Sequence, residues 1–451
     1  MAITKVKGTY DLLPCETEKW VKLEGLLREV CRLYGYKEIR TPHMESSELF
    51  HRTVGEASDM VRKETYDFKD RGDRDITLRP EGTAGVVRSF IENKIYAEKA
   101  INKLFYIGEM FRYERQQKGR YRQFRQFGVE SFGSNDPAMD AEVISMACTI
   151  IRALGLKNVK VHLNSLGDQE SRDRYRDALV EYFTPLKDLL CDDCKQRLIK
   201  NPLRILDCKV DKDSEAFKNA PKISNYLNDS SKKHFELVKE YLKELEIEYV
   251  VDDKLVRGLD YYTYTVFEIE AEIKDFGAQN VLGGGGRYNN LVSNLGGPET
   301  PGVGFAFGME RLLLAIEAEG LKIPISNSTD LFIIALGSEA KKKCVGLTNA
   351  MRIGGLVTEM DYLDKNLKGQ FKEALKNNAK FIAIIGEDEL SSGLVNVKNQ
   401  ETALEVKVKF EDLYSYIVGQ LQQRHSCSCG HDSDKGCSCG HDSDEGCCCN
   451  H

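Results

Sequence analysis

The stretch 111-FRYERQQKGRYRQFRQFGVESFG-133 decides how the rest of the chain is read. It joins two strand-like runs, KLFYIGEMFRYE and RQFGVESFG, through a loop. From Arg112 to Arg125, five arginines and Lys118 stand against Glu114 alone, a net charge of 6 − 1 = +5. Tyr113, Tyr121 and Phe124 are interleaved with them. A guanidinium fork matches phosphate oxygens and an aromatic ring offers a base a stacking face, so the pattern suits a polyphosphate ligand. A solvated basic hairpin would account for the charge equally well.

Outward from this hairpin, the apolar residues Trp20, Leu23, Leu26, Leu27, Val30 and Leu33 recur at helical spacing and predict an amphipathic helix over 16–34. KEIRTPHME reads as a strand reaching Pro42, which cannot donate to a ladder and belongs at a strand end or bend. ETYDFKD and DITLRP are strand-like, and TAGVVRSFIENK reads as a helix. From about 168 to 246 charged helical segments dominate, with Phe235, Val238, Leu242 and Leu245 forming one stripe. Strands return in YVVDDKLVRGLDYYTYTVFEIEAEI. A glycine run, LGGGGRYNNL, and a helix, MERLLLAIEAEG, follow. After a linker, LFIIALG, LVTEMDYL, KFIAIIGE, LVNVKN and EVKVKF alternate with helices, the pattern of a small α/β domain with a mixed sheet over 330–422.

With 451 residues, 41% hydrophobic and 30% charged, the chain can bury a large core and divide into several domains. The net charge of −7 confines any nucleic-acid contact to local patches. No apolar run approaches the roughly 18 residues of a membrane span, and the start, MAITKVKGTYDLLP, lacks an apolar signal core. A cytoplasmic location without membrane contact is therefore expected. Cys15, Cys31, Cys148, Cys191, Cys194, Cys208 and Cys344 are thinly spread, which suits a reducing compartment.

Three further segments carry candidate chemistry. LVRGLDYYTYTVFE sets Arg257 beside Gly258 at a strand end, ahead of Tyr261 and Tyr262. LGGGGRYNNL reads as a glycine turn carrying Arg287; without the Lys-Ser/Thr element of a P-loop, its glycines should allow close backbone approach rather than cradle phosphate. GVGFAFGMERLLL places Arg311 at a helix entry. Together with TPHME, LRPEGTAG and the arginine hairpin, these segments resemble, in order, the three motifs of class II aminoacyl-tRNA synthetases. LVRGLDYYTYTVFE and GGGGRYNNL are similar to the signatures of the histidyl-tRNA synthetase family, bacterial type, and the resemblance spans residues 1–422.

The resemblance implies an α+β catalytic domain over 1–322, an antiparallel sheet with helices and a helical insertion at about 168–246, followed by an α/β anticodon-binding domain over 330–422. It implies ATP-dependent activation of L-histidine, with Mg2+ accompanying the nucleotide, and transfer to tRNA-His by a homodimer whose interface includes Pro42. By resemblance Arg112 holds the α-phosphate and the substrate carboxylate, Arg311 the γ-phosphate, and Arg257 the opposite side of the α-phosphate. Phe124 stacks on adenine, and Arg120 lies near the nucleotide. Glu81, Thr83 and Gln126 receive the histidine ammonium; Glu130 and Tyr262 read the imidazole, with Tyr261 lining the pocket. Glu81 also has the position of a helix cap. Gln117 meets the tRNA acceptor end. Gln116 stands where a proline is usual, which bears on loop stiffness and discriminator contacts, and Asn289 where an aspartate is common; neither change is expected to abolish catalysis. The rival reading is a non-catalytic, histidine-binding regulatory subunit of ATP phosphoribosyltransferase; such paralogues typically lack the C-terminal module and lose catalytic residues.

Two cysteine groups stand outside this scheme. Cys191 and Cys194 form a C-x-x-C with Cys208 further on. Zinc wants four ligands and no fourth is obvious nearby, although an Asp or His could complete the set, so packing is the favoured reading. The segment 424–451 repeats CSCGHDSD and offers Cys427, Cys429, His431, Cys437, Cys439 and His441 as ligands for zinc, nickel or copper. Its Gly, Ser and Asp cannot build a core, so it is expected to be disordered without metal and dispensable for catalysis.

Overall fold

The computed structural model describes residues 3–54, 60–115, 119–208, 210–211, 214–273, 280–323 and 328–423. The expectations for Gln116, Gln117 and the 424–451 tail lie outside them. The chain divides into two compact units, Met1–Pro324 and the remainder from Ile325.

The first unit begins with α1 (Pro14–Leu33), β1 (Lys37–Glu38), β2 (Met44–Ser46), α2 (Ser47–Val54), β3 (Tyr66–Lys69), β4 (Asp75–Leu78) and α3 (Thr83–Glu92). β5 (Asn102–Phe111), β6 (Gln123–Phe132), α4 (Pro137–Ala153) and β7 (Val159–Ser165) follow. Next come α5 (Gln169–Phe183), α6 (Asp192–Lys200), α7 (Glu215–Lys218), α8 (Asp229–Glu244) and β8 (Tyr249–Val251). The unit closes with β9 (Thr263–Ala271), β10 (Val281–Arg287), α9 (Leu291–Asn294), β11 (Gly302–Gly308) and α10 (Met309–Ala318). Eight strands form one sheet in the order β1-β5-β6-β11-β10-β9-β7-β8, antiparallel except for the edge pairs β1–β5 and β7–β8; β2, β4 and β3 form a small second sheet.

Side chains alternate across a strand, so each central strand carries two chemistries. The odd positions Phe105, Phe127, Val129, Val303, Phe305 and Phe307 join a core with Trp20, Leu23 and Leu27 of α1, Ile144 and Ile151 of α4 and Leu312 of α10. The other face of β10 and β11 is almost bare backbone. A methyl group on Gly304 would lie 2.2 Å from Glu130 Oε2, one on Gly286 2.9 Å from the Tyr262 ring, and one on Gly284 3.0 Å from the Arg257 guanidinium. Van der Waals contact of carbon atoms needs roughly 3.5 Å or more, so these glycines make room for the side chains lying against them.

Three local expectations are corrected here. The glycine run is the interior of β10 rather than a turn, hydrogen-bonded on both sides by β9 and β11. KEIRTPHME is two short strands, β1 and β2, because Pro42 falls in the bend between them. Arg257 sits in the loop between β8 and β9, six residues ahead of β9. In the 168–246 stretch, α5 and α6 pack into a second cluster through Tyr175, Leu179, Cys194 and Leu198. α8 instead lies on α4 and sends Phe235, Val238 and Leu242 into the main core, whereas Leu245, past its end, is exposed.

Arg287, at the end of β10, is fully buried and pairs with the fully buried Asp140 of α4. Its Nε donates to both Asp140 oxygens at 3.1 Å, and Nη1 reaches the Ser134 carbonyl at 2.7 Å and Asn289 Oδ1 at 3.2 Å. Burial would raise the Asp140 pKa, but Arg287 and His234 hold it below its ordinary value. The aspartate common at position 289 is thus replaced by an amide that still accepts from Arg287, and its Nδ2 donates to Asn135.

The second unit contains β12 (Leu331–Ala335), α11 (Ser338–Ile353), β13 (Thr358–Met360), α12 (Leu367–Lys376), β14 (Phe381–Ile385), α13 (Glu387–Ser392), β15 (Leu394–Asn399), β16 (Glu405–Lys409) and α14 (Leu413–Gln423). β13, β12 and β14 are parallel and β15 and β16 antiparallel. LFIIA and FIAII bury side chains on both faces, against α11 and α14 on one and α12 on the other, which is why they read as unbroken apolar runs.

Removing one partner of a buried pair strands the other charge. Asp140→Ala should lose about 3–5 kcal/mol of stability in urea unfolding, and Asp140→Leu combined with Arg287→Met distinctly less than the sum of the single losses. Additive losses would show that the pair is not coupled.

Candidate active site

The bare floor of β10 and β11 is walled by β6, the arginine hairpin, the N-terminus of α3 and the loop before β9. Between them lies a cleft of about 240 Å3. Glu81, Thr83, Arg112, Arg120, Phe124, Gln126, Glu130, Arg257, Tyr261, Tyr262 and Arg311 all line it. These are all the expected site residues that fall among the described ones. β6 contributes Phe124, Gln126 and Glu130 from alternate positions, as a strand must.

One end of the cleft is cationic. The Arg112 guanidinium donates to the Pro80 carbonyl at 2.8 Å and lies 5.2 Å from the centre of the Phe124 ring. Glu114 stands between Arg112, at 3.7 Å, and Arg120, at 3.4 Å. Arg311 donates to the Val281 carbonyl at 2.9 Å and forms no ion pair among the described residues. Burial, and then repulsion from Arg120 and Arg112, lowers its pKa. Arg257 pairs with Glu268 of β9, while its buried Nε has no hydrogen-bond partner among the described residues. Four guanidiniums share this end, so a multiply charged anion would relieve both their repulsion and the unmet donors.

The other end is a dry polar pocket. Glu81 accepts from the backbone N–H groups of Thr83 and Ala84, each at 2.7 Å, so it does cap α3; the same carboxylate faces the cleft. Burial outweighs these bonds and raises its pKa. Gln126 accepts from the Gly82 N–H at 3.2 Å and from the Tyr106 hydroxyl at 3.3 Å. Glu130 accepts from Thr83 Oγ1 at 2.8 Å and from the Tyr288 hydroxyl. Tyr261 and Tyr262 pack with ring centres 4.6 Å apart, and Tyr288 meets both edge-on. Burial pushes the Glu130 carboxyl up to about 8, overcoming those two hydrogen bonds.

Sequence reasoning missed Tyr288, Glu268, Glu114 and Glu310. Tyr288 stands within the quoted GGGGRYNNL and Glu268 two strand positions beyond Val266 on β9. Nothing in their spacing shows that one orients Glu130 and the other pairs with Arg257. Glu310 accepts from the Tyr10 hydroxyl and the Arg125 N–H, both at 2.8 Å, tying α10 to the hairpin.

An antiparallel sheet with this glycine floor, a phosphate-sized cluster of arginines and an aromatic face for a base defines the chain as a class II aminoacyl-tRNA synthetase. The family model for histidyl-tRNA synthetase matches residues 8–312 and that for the anticodon binding domain residues 330–420. A curated histidine–tRNA ligase from Acholeplasma laidlawii is 55% identical over 413 residues, covering 92% of this chain and 98% of that protein. The crystal structure of apo Staphylococcus aureus histidyl-tRNA synthetase is similar with a TM-score of 0.81 and 43% identity, over 92% of this chain and all of that one. A Bacillus halodurans structure described as an ATP phosphoribosyltransferase regulatory subunit/histidyl-tRNA synthetase shares the fold, with a TM-score of 0.58, 21% identity and coverage of 85% and 97%. The chain belongs to the histidyl-tRNA synthetase family. The Cys/His tail lies beyond both family matches.

Glu130 binds its proton up to about pH 8 in the folded chain but only up to its ordinary 4.5 when unfolded. The stability this contributes is present below about 4.5 and is lost as pH rises through about 8. Glu130→Gln, a neutral isostere, should escape that loss, so its melting temperature should gain on the parent between about pH 5 and about pH 8.5. A constant difference over that range would contradict the assignment.

Proposed function

We infer that the chain is a histidine–tRNA ligase, which activates L-histidine with ATP to histidyl-adenylate and pyrophosphate and then transfers histidine to the 3′ end of tRNA-His. The observation that carries this is the union, in one cleft, of a guanidinium cluster at one end and a buried Glu130–Tyr262 pocket at the other.

The histidine carboxylate is already ionised, so its attack on the α-phosphorus needs no general base. Bringing an anion to a polyanion is the difficulty, together with the charge that builds on the phosphoryl oxygens. Arg112 would neutralise the α-phosphate and carboxylate from one side and Arg257 the α-phosphate from the other, while Arg311 would hold the γ-phosphate. Phe124 would stack on adenine, and Arg120 would lie over the nucleotide. Magnesium accompanying ATP screens its outer phosphates. Of the cleft carboxylates, Glu310 is committed to Tyr10 and Arg125, whereas Glu114 has only long contacts to Arg112 and Arg120 and offers the hard oxygen ligand magnesium prefers.

At the other end, Glu81, Thr83 and Gln126 would receive the ammonium group, each held in place by its own backbone or side-chain bonds. Glu130 would accept from an imidazole N–H once ionised, with Tyr262 completing the pair and Tyr261 closing the wall. An apolar amino acid would leave those buried groups unpaired, which supports strong discrimination. Gln117 would meet the tRNA acceptor end, and the 330–422 unit the anticodon. A homodimer suits the exposed Met44 and Phe68 of the small sheet, apolar side chains that a second copy would cover.

Histidine-dependent exchange of pyrophosphate into ATP should be observed, and charging of tRNA-His with it; folded protein without exchange would favour the regulatory-subunit reading. Arg257→Ala should lower the adenylation rate by about 100-fold or more with a smaller loss of histidine affinity, since its contacts strengthen as charge develops. Equal losses in both would contradict a transition-state role.

A further inference from the structure

Outside the cleft, one cluster of ligating side chains has no part in the chemistry above. Cys191 is the N-cap of α6 and Cys194 lies in its first turn. Cys208 follows the 3-10 turn Pro202–Asp207 that folds back onto that helix. The fourth group, not apparent in the sequence, is Asp211. The sulfurs of the three cysteines and a carboxylate oxygen of Asp211 all lie within 4.8 Å of one another. Cys191 Sγ is 3.7 Å from Cys208 Sγ, and Cys208 Sγ is 3.7 Å from Asp211 Oδ2.

Those separations discriminate between the available chemistries. A disulfide needs its sulfurs at about 2.05 Å. A tetrahedral zinc ion with Zn–S bonds of about 2.3 Å places its thiolates roughly 3.8 Å apart, close to the spacing seen. Cys194 and Cys208 are buried and Cys191 and Asp211 partly exposed, which leaves an entry path. Asp211 is oriented by the Cys191 N–H, which donates to Oδ2 at 3.0 Å. The surrounding chain consists of short turns and a nine-residue helix, a segment with little core of its own and the kind that a structural metal closes.

We propose that Cys191, Cys194, Cys208 and Asp211 form a structural zinc site that closes the segment 191–211. The 3-10 turn it clamps carries Arg204, which donates to Asp260 Oδ1 at 3.0 Å and to the Gly258 carbonyl at 2.5 Å. Arg172 of α5 holds the same loop through the Asp260 and Tyr262 carbonyls, at 3.2 and 3.0 Å. The zinc site therefore stands behind the loop that presents Arg257, Tyr261 and Tyr262 to the cleft. Binding requires three thiols to deprotonate, releasing protons to solvent, with no change of oxidation state.

The tail's own cysteines must be silenced before the metal is counted. In the full-length chain with Cys427, Cys429, Cys437, Cys439, Cys447, Cys448 and Cys449 replaced by serine and His431 and His441 by asparagine, purified under reducing conditions, elemental analysis should find about one zinc per chain. X-ray absorption at the zinc edge should show three sulfur ligands at about 2.3 Å and one oxygen at about 2.0 Å. Asp211→Asn, a partly exposed and nearly isosteric change, should weaken zinc retention against a chelator by about tenfold or more with an unchanged far-ultraviolet spectrum. Absence of zinc even after addition and desalting, a shell without three sulfurs, a disulfide among Cys191, Cys194 and Cys208, or unchanged retention in Asp211→Asn would each overturn the assignment.

Discussion

The two faces of the large sheet are chemically opposite, and every element of the catalytic unit is placed by that difference. Odd positions of β5, β6 and β11 carry the phenylalanines and valines that α1, α4, α8 and α10 cover. Gly284 and Gly286 of β10 and the even positions of β11 carry no more than a methyl group, so this part of the opposite face is polar backbone that water or ligand must meet. A cleft forms there because nothing fills it. Glu130 on β6 and Arg257 and Tyr262 from the loop before β9 lie against that floor because glycine leaves room for them.

Arginine serves two opposite purposes in this framework. Arg287 is wholly enclosed, saturated by Asp140, Ser134 and Asn289, and pins α4 to the end of β10. Arg257 and Arg311 are only partly buried and under-satisfied: among the described residues Arg257 pairs with Glu268 but leaves a buried Nε without a partner, and Arg311 meets only a carbonyl. Burial of a charge without full compensation is unfavourable unless a ligand supplies the missing partner. The same residue type thus locks the fold where its donors are spent and leaves donors for an anion where they are not.

Much of the secondary structure was legible, because periodicity is a local property. The helix α1, the strand β6 and the unbroken runs of β12 and β14 appeared where they were expected, although Leu33, placed in the α1 stripe, is exposed. The glycine run was misread because a sequence cannot show that neighbouring strands press on both sides of it; taken alone, four glycines look like a turn. Pro42 divided a segment read as one strand for the reason that placed it at a bend. The motif residues expected in the cleft line it, while Tyr288 and Glu310 were missed because each touches a residue far away in sequence, and Glu268 because a loop folds Arg257 back onto β9.

By itself the sequence determined the order of elements, the charge of the hairpin and the residue types able to bind a nucleotide and an imidazole, since these follow from spacing and side-chain chemistry. Which arginines are spent and which are free, that burial holds the Glu130 proton, and that Asp211 joins three cysteines were decided only by the tertiary structure. Those properties depend on desolvation and on distances between segments as much as 158 residues apart, which spacing along the chain does not encode.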